Sequence, residues 1–151
     1  GAAGAGVLLK TELKAASGEM KAATGEANIL KGSGPVSGVL EVSSNVKSVD
    51  AFKNYKPSQP IEFVYDPTNK KFLVGQPNQK MPGLSGHQQL VKAGNLNNNT
   101  TVGGMFKRDA NGQIITNEYS GHYYKNWTDD IRKQFKEFMQ KQTGQTVTHT
   151  Q

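Results

Sequence analysis

The side chains best suited to move protons near neutral pH are the three histidines of this 151-residue sequence, His87, His122 and His149. His149 falls in a polar C-terminal stretch expected to be loose, which leaves His87 and His122 as a candidate acid–base pair. Metal-independent RNA cleavage asks for such a pair. A base takes the 2′-hydroxyl proton, an acid protonates the leaving 5′-oxygen, and a donor stabilises the charged phosphorane. Imidazoles fill both proton-transfer roles because their ordinary pKa, about 6.5, lies close to working pH. Lys92 or Arg108 could hold the phosphate, and Thr116, Ser120 and Tyr123 could add neutral donors.

The run Glu118-Tyr119-Ser120-Gly121-His122-Tyr123-Tyr124 sets one of these histidines among aromatics, and Tyr119, Tyr123, Tyr124 and Trp127 are candidates for stacking splayed bases. Lys107 and Arg108 could line a phosphate path. The blander readings are that Tyr123 and Trp127 seal a core edge and that His87 caps or decorates a helix.

Composition narrows the classes. Eighteen Lys and Arg against twelve Asp and Glu give +6 and a pI near 9.5, which favours polyanionic partners. The absence of cysteine excludes disulfides, thiol catalysis and thiolate zinc sites. No apolar run approaches the ~20 residues of a membrane span, so stable membrane insertion is not expected. Gly83, Gly86, Gly103 and Gly104 form no phosphate-binding fingerprint, and no histidine spacing announces a metal site, so neither cofactor nor metal is expected. Two alternatives stand beside the ribonuclease reading. One is a metal-dependent DNase assembling Glu118, Asp109 and His122; the other is a non-catalytic module that binds through the aromatic patch.

These residues must be positioned by a modest core, since 34% hydrophobic content supports one compact domain. Residues 1–50 read as a helical entry or linker segment, with a Gly/Ser/Pro-rich boundary at Lys31 to Val39. The opening Gly-Ala-Ala-Gly suggests a fragment of a longer polypeptide. Residues 51–143 read as the compact nuclease domain and 144–151 as a disordered tail. Ile61 to Tyr65 and Lys71 to Gly75 predict a hairpin across Asp66-Pro67-Thr68-Asn69-Lys70. Leu84 to Val91 predicts a short helix closed by a left-handed Gly94. A second hairpin turns at Asp109-Ala110-Asn111-Gly112. Thr128 before Asp129 and Asp130 predicts a helix start, and Ile131, Phe135, Phe138 and Met139 give that helix one apolar face. The expected class is α+β, a small antiparallel sheet with flanking helices.

Several blocks in fixed order carry a resemblance: His87-Gln-Gln-Leu90, Val102-Gly-Gly-Met105-Phe106-Lys-Arg108, Gly112-Gln-Ile114, Thr116-Asn117-Glu118, Ser120-Gly121-His122-Tyr123, Asn126-Trp127-Thr128 and Ile131-Arg132-Lys-Gln134-Phe135. Over roughly residues 61–140 the sequence resembles the type 43 polymorphic toxin domain, which terminates large secreted toxins, including those of contact-dependent growth inhibition. The resemblance implies a helix-and-curved-sheet fold of the barnase, EndoU, colicin and RelE-like superfamily, known as BECR. It also implies RNA, plausibly tRNA, as substrate in the cytoplasm of a target bacterium, and site roles for His87, Ser120, His122 and Tyr123. An acidic immunity protein covering the basic cleft is the expected partner, and the resemblance leaves room for a host-cell factor.

Overall fold

Residues 36–81 and 83–151 are described in the computed structural model. Their framework begins at the first predicted hairpin, formed by β2 (Ile61–Asp66) and β3 (Lys71–Pro77) paired antiparallel. Asp66 closes the turn, its carboxylate accepting the backbone N–H groups of Thr68 and Asn69, while Lys70 takes a left-handed φ of 52°. The preceding strand, β1 (Val36–Ser43), pairs with the outer edge of β3. The expectation of a helical or linker segment over 1–50 is therefore corrected at its C-terminal end. Val36, Val39, Leu40 and Val42 are buried, so this stretch joins the sheet. The helical expectation before it lies outside the described residues.

On the other side of β2 lies β4 (Val102–Arg108), which continues into the second predicted hairpin with β5 (Ile114–Thr116). The carboxylate of Asp109 holds that turn by accepting from the N–H groups of Asn111 and Gln113. A last strand, β6 (Val147–His149), pairs parallel to β5 and completes a six-stranded sheet in the order β1-β3-β2-β4-β5-β6. This corrects the expectation of a disordered tail over 144–151. Gly144 ends the preceding helix with a left-handed φ of 70° and turns the chain back, so that Val147 reaches the core.

Alternation along β2 sorts the two faces. Ile61, Phe63 and Tyr65 point into a large core with α1 (Asp50–Lys53) and α3 (Asp129–Thr143), where Phe52, Phe135, Phe138, Met139 and Trp127 pack on Phe72 and Phe106. Fully burying a Phe such as Phe135 contributes about 1.5–3 kcal/mol. Thr128 caps α3 by accepting from the Ile131 N–H, as its sequence signal required. The opposite face carries Val64 and Leu73 beneath Leu90 and Val91 of α2 (Gly86–Gly94) and Tyr123 of a 3-10 helix (Gly121–Asn126). Helix α2 opens with a reciprocal capping box between Ser85 and Gln88. Its left-handed terminus is Asn95, with φ 54°, rather than Gly94. Gly94 is needed for another reason: a Cβ there would lie 2.3 Å from Cδ1 of Leu73.

Candidate functional site

The face bearing α2 and the 3-10 helix also bears a cavity of about 740 Å³, lined by Glu62, His87, Tyr119, Ser120, His122 and Lys125 among others. Four separate pieces of sequence meet there. Glu62 comes from β2, His87 from the first turn of α2, and Tyr119 and Ser120 from the segment after β5. His122 and Lys125 come from the 3-10 helix.

His87 is 7% exposed, and its Nε2 lies 2.8 Å from the carbonyl oxygen of Gly104. A carbonyl only accepts, so Nε2 carries the proton and Nδ1 holds the lone pair of the neutral ring. Burial lowers the pKa of His87, against the opposing pull of the Gly104 bond and of the Glu62 carboxylate. The ring is accordingly a neutral base at neutral pH. Its close seat on β4 depends on two glycines. A Cβ on Gly103 would sit 3.1 Å from Cδ2 of His87 and 3.0 Å from Cβ of Ser120, and one on Gly104 would lie 1.8 Å from the Asn117 carbonyl oxygen. The Gly103-Gly104 pair thus serves close packing.

His122 reaches the cavity differently. Gly121 adopts φ 60°, which glycine tolerates without a steric penalty, and the chain then enters the 3-10 helix with His122 exposed. The rings of His87 and His122 flank Tyr123, with centroids 6.4 and 6.3 Å from its ring. Tyr123 itself is buried, and its hydroxyl donates to Asn98 at 2.7 Å. Burial raises its pKa, so it stays a neutral phenol. Ser120 is buried and donates to the Glu118 carbonyl at 3.1 Å, leaving its lone pairs available. Tyr119, 79% exposed, stands at the rim.

The remaining sequence candidates lie elsewhere. Arg108 is half-buried, its guanidinium donating to the carbonyls of Phe52, Tyr55 and Gly112 and to Gln145 while lying over the rings of Phe52 and Phe106. Desolvation pushes its pKa down to about 10, against the opposing charge of Asp109. It ties α1 to the second hairpin and is not among the residues lining the cavity. Thr116 is buried beside His149, Trp127 is buried and donates to the Gly103 carbonyl at 2.8 Å, and Lys92, Lys107 and Tyr124 are exposed away from the cavity lining. Glu62 and Lys125 complete the site without having been assigned to it from sequence. Glu62 could have been found from strand alternation, since it puts a charge on the sheet face that α2 covers.

His149, expected in a loose tail, is instead the centre of a buried relay. Its side chain is 3% exposed, between Trp127 and Phe135. Nε2 lies 2.7 Å from Glu118 and Nδ1 2.8 Å from the Thr116 hydroxyl. Glu118 also accepts a two-pronged contact from Arg132, at 2.6 and 3.0 Å. Burial pushes the Glu118 carboxyl up, but the bonds from Arg132 and His149 outweigh it and hold the pKa below the ordinary value. Burial lowers the His149 pKa, against the pull of Glu118. Nε2–H therefore donates to the carboxylate, and the neutral Nδ1 accepts from Thr116. This geometry removes the DNase alternative's metal site: Glu118 is enclosed, Asp109 closes a turn and His122 lines the cavity. Among the described residues, no group of three or more His, Asp or Glu is placed to hold a metal ion.

The family model described as Bacterial toxin 43 matches residues 11–134, most of the chain and every residue lining the cavity. The chain belongs to this toxin family. No curated protein and no solved structure matches it. In this bacterial toxin 43 domain the matched span ends within α3, before His149. Among the described residues, no helix is long and apolar enough to cross a membrane.

Proposed function

We propose that this toxin domain is an endoribonuclease that cleaves RNA by metal-independent transphosphorylation, leaving a 2′,3′-cyclic phosphate. The observation that carries the reading is the convergence of Glu62, His87 and the His122–Lys125 pair on one cavity from three separate elements. His87, neutral with its Nδ1 lone pair unused, is suited to take the 2′-hydroxyl proton. His122 gives a proton to the leaving 5′-oxygen, while Lys125 holds the phosphate oxygens, joined by the Ser120 hydroxyl once it turns from the Glu118 carbonyl. Glu62 orients the attacking ribose or shares the base role. Tyr119 offers an exposed ring for stacking an unpaired base.

The same reading covers delivery. The domain would form the C-terminal part of a large secreted bacterial protein, of the contact-dependent inhibition kind. It would act on tRNA in the cytoplasm of the recipient and be held inactive in the producer by an acidic immunity protein over the cavity. The sheet with helices on both faces is compatible with BECR membership, which belongs to the same proposal.

The test is cleavage of total RNA by the purified chain and by His122→Ala. Loss of one proton-transfer group costs about 10²–10⁴-fold in rate, and His122 is exposed, so folding should be unchanged. A His122→Ala protein as active as its parent would refute the assignment.

A further inference from the structure

Beside the main cavity lies a second one of about 400 Å³, within the range that holds small ligands. It shares His122 and Lys125 with the first, and the rest of its lining is Tyr123 and four carboxamides: Gln88, Asn98, Asn99 and Asn126. Carboxamides are neutral and present a donor and an acceptor side by side, the pattern of a nucleobase edge, whereas a phosphate only accepts and leaves the acceptor halves unmatched.

Three of the four are already oriented. Asn126 spends its amide hydrogens on the carbonyls of Thr101, at 2.8 Å, and Asn98, at 3.3 Å, so Oδ1 is what it can offer a ligand. Gln88 accepts the Ser85 N–H on Oε1 within the α2 capping box and keeps Nε2 as a donor. Asn98 accepts from Tyr123 on Oδ1 and keeps Nδ2. Asn99 contributes both halves of its amide. Fixed donors and acceptors lose little conformational entropy on binding and penalise a mismatched base by leaving polar groups unpaired.

We propose that this amide-lined cavity is the base-recognition subsite of the enzyme. It would seat one nucleobase on Asn98, Asn99, Asn126 and Gln88, so that the adjoining phosphate falls at the shared His122–Lys125 rim. The proposal rests on the ribonuclease reading, and two measurements on the full chain separate their failures. In the first, cleavage ends are mapped on an RNA of randomised sequence. The parent should show a base preference at one position flanking the cut, and Asn98→Ala and Asn99→Ala should each reduce that preference about tenfold, the worth of one base contact. A parent without preference, or variants that change only the overall rate, would overturn it. In the second, uridine, cytidine, adenosine and inosine are titrated into ¹⁵N-labelled chain. These nucleosides carry no scissile phosphodiester, so the result is independent of cleavage. At least one should shift the side-chain amide signals of Asn98, Asn99, Gln88 and Asn126, with the shifts of Gln88 and Asn126 lost in the Asn98→Ala/Asn99→Ala double variant. No shift with any nucleoside would overturn the subsite, even if the chain cleaves RNA. Shifts without cleavage would retain a nucleobase site and remove the ribonuclease.

Discussion

A neutral imidazole with one nitrogen committed to a carbonyl behaves differently from a solvated histidine. His87 donates from Nε2 to Gly104, and burial disfavours its charged form. Its basic form therefore persists to lower pH than usual. If His87 takes the 2′-hydroxyl proton, the acid limb of kcat/KM should have its midpoint below about 6.5, the ordinary histidine value. An acid limb centred above that value would point to a different base. Neither His87's role nor its tautomer is written in the local sequence His87-Gln-Gln, which resembles any capped helix start. The decisive partner is 17 residues away on β4. Alternation places Glu62 on the face opposite Ile61 and Phe63, but that this face is covered by α2 rather than by solvent depends on packing distant in sequence. His122 was more legible, because a Gly-His step that needs a left-handed glycine announces a turn that exposes the next side chain.

At the level of elements, the last strand is the piece whose contribution exceeded its sequence signal. Three residues, Val147–His149, are too short and too polar to advertise a strand, yet they close the sheet edge. They are held because His149 completes the Thr116–Glu118–Arg132 network and packs between Trp127 and Phe135. Deleting residues 145–151 leaves Glu118 and Thr116 short of a partner and uncovers Trp127. The expected loss is about 3 kcal/mol or more, read as a lower denaturant midpoint; an unchanged midpoint would show the strand to be dispensable. The network also fixes the sign of a pH effect. His87 and His149 both have lowered pKa values in the folded chain, so below about pH 6.5 the unfolded chain binds more protons. Stability is complete above that pH and is lost as pH falls. Below about pH 4.5, protonation of Glu118 takes away more in the same direction. Tm should fall between pH 7 and 5; a rise would mean that His149 sits in the fold as imidazolium paired with Glu118. The two hairpins and α3 were legible because Asn-Gly, Asp-Pro and Thr-Asp-Asp act locally, whereas β1 and β6 depend on partners distant in sequence.

For the molecule as a whole, an excess of six positive charges governs encounter before any base is read. RNA binding by a His122→Ala chain should weaken steeply between 50 and 200 mM salt, as it does when lysines displace condensed counterions. Salt-independent binding would assign the affinity to stacking alone. The same charge should speed association with an acidic partner over the cavity. The most direct test of the chemistry is incubation of the purified chain with total RNA in EDTA, followed by determination of the new termini. Cleavage with 2′,3′-cyclic phosphate and 5′-hydroxyl ends, abolished in His122→Ala, is the expected result. Intact RNA in EDTA that is cut only when a divalent metal is restored would contradict it.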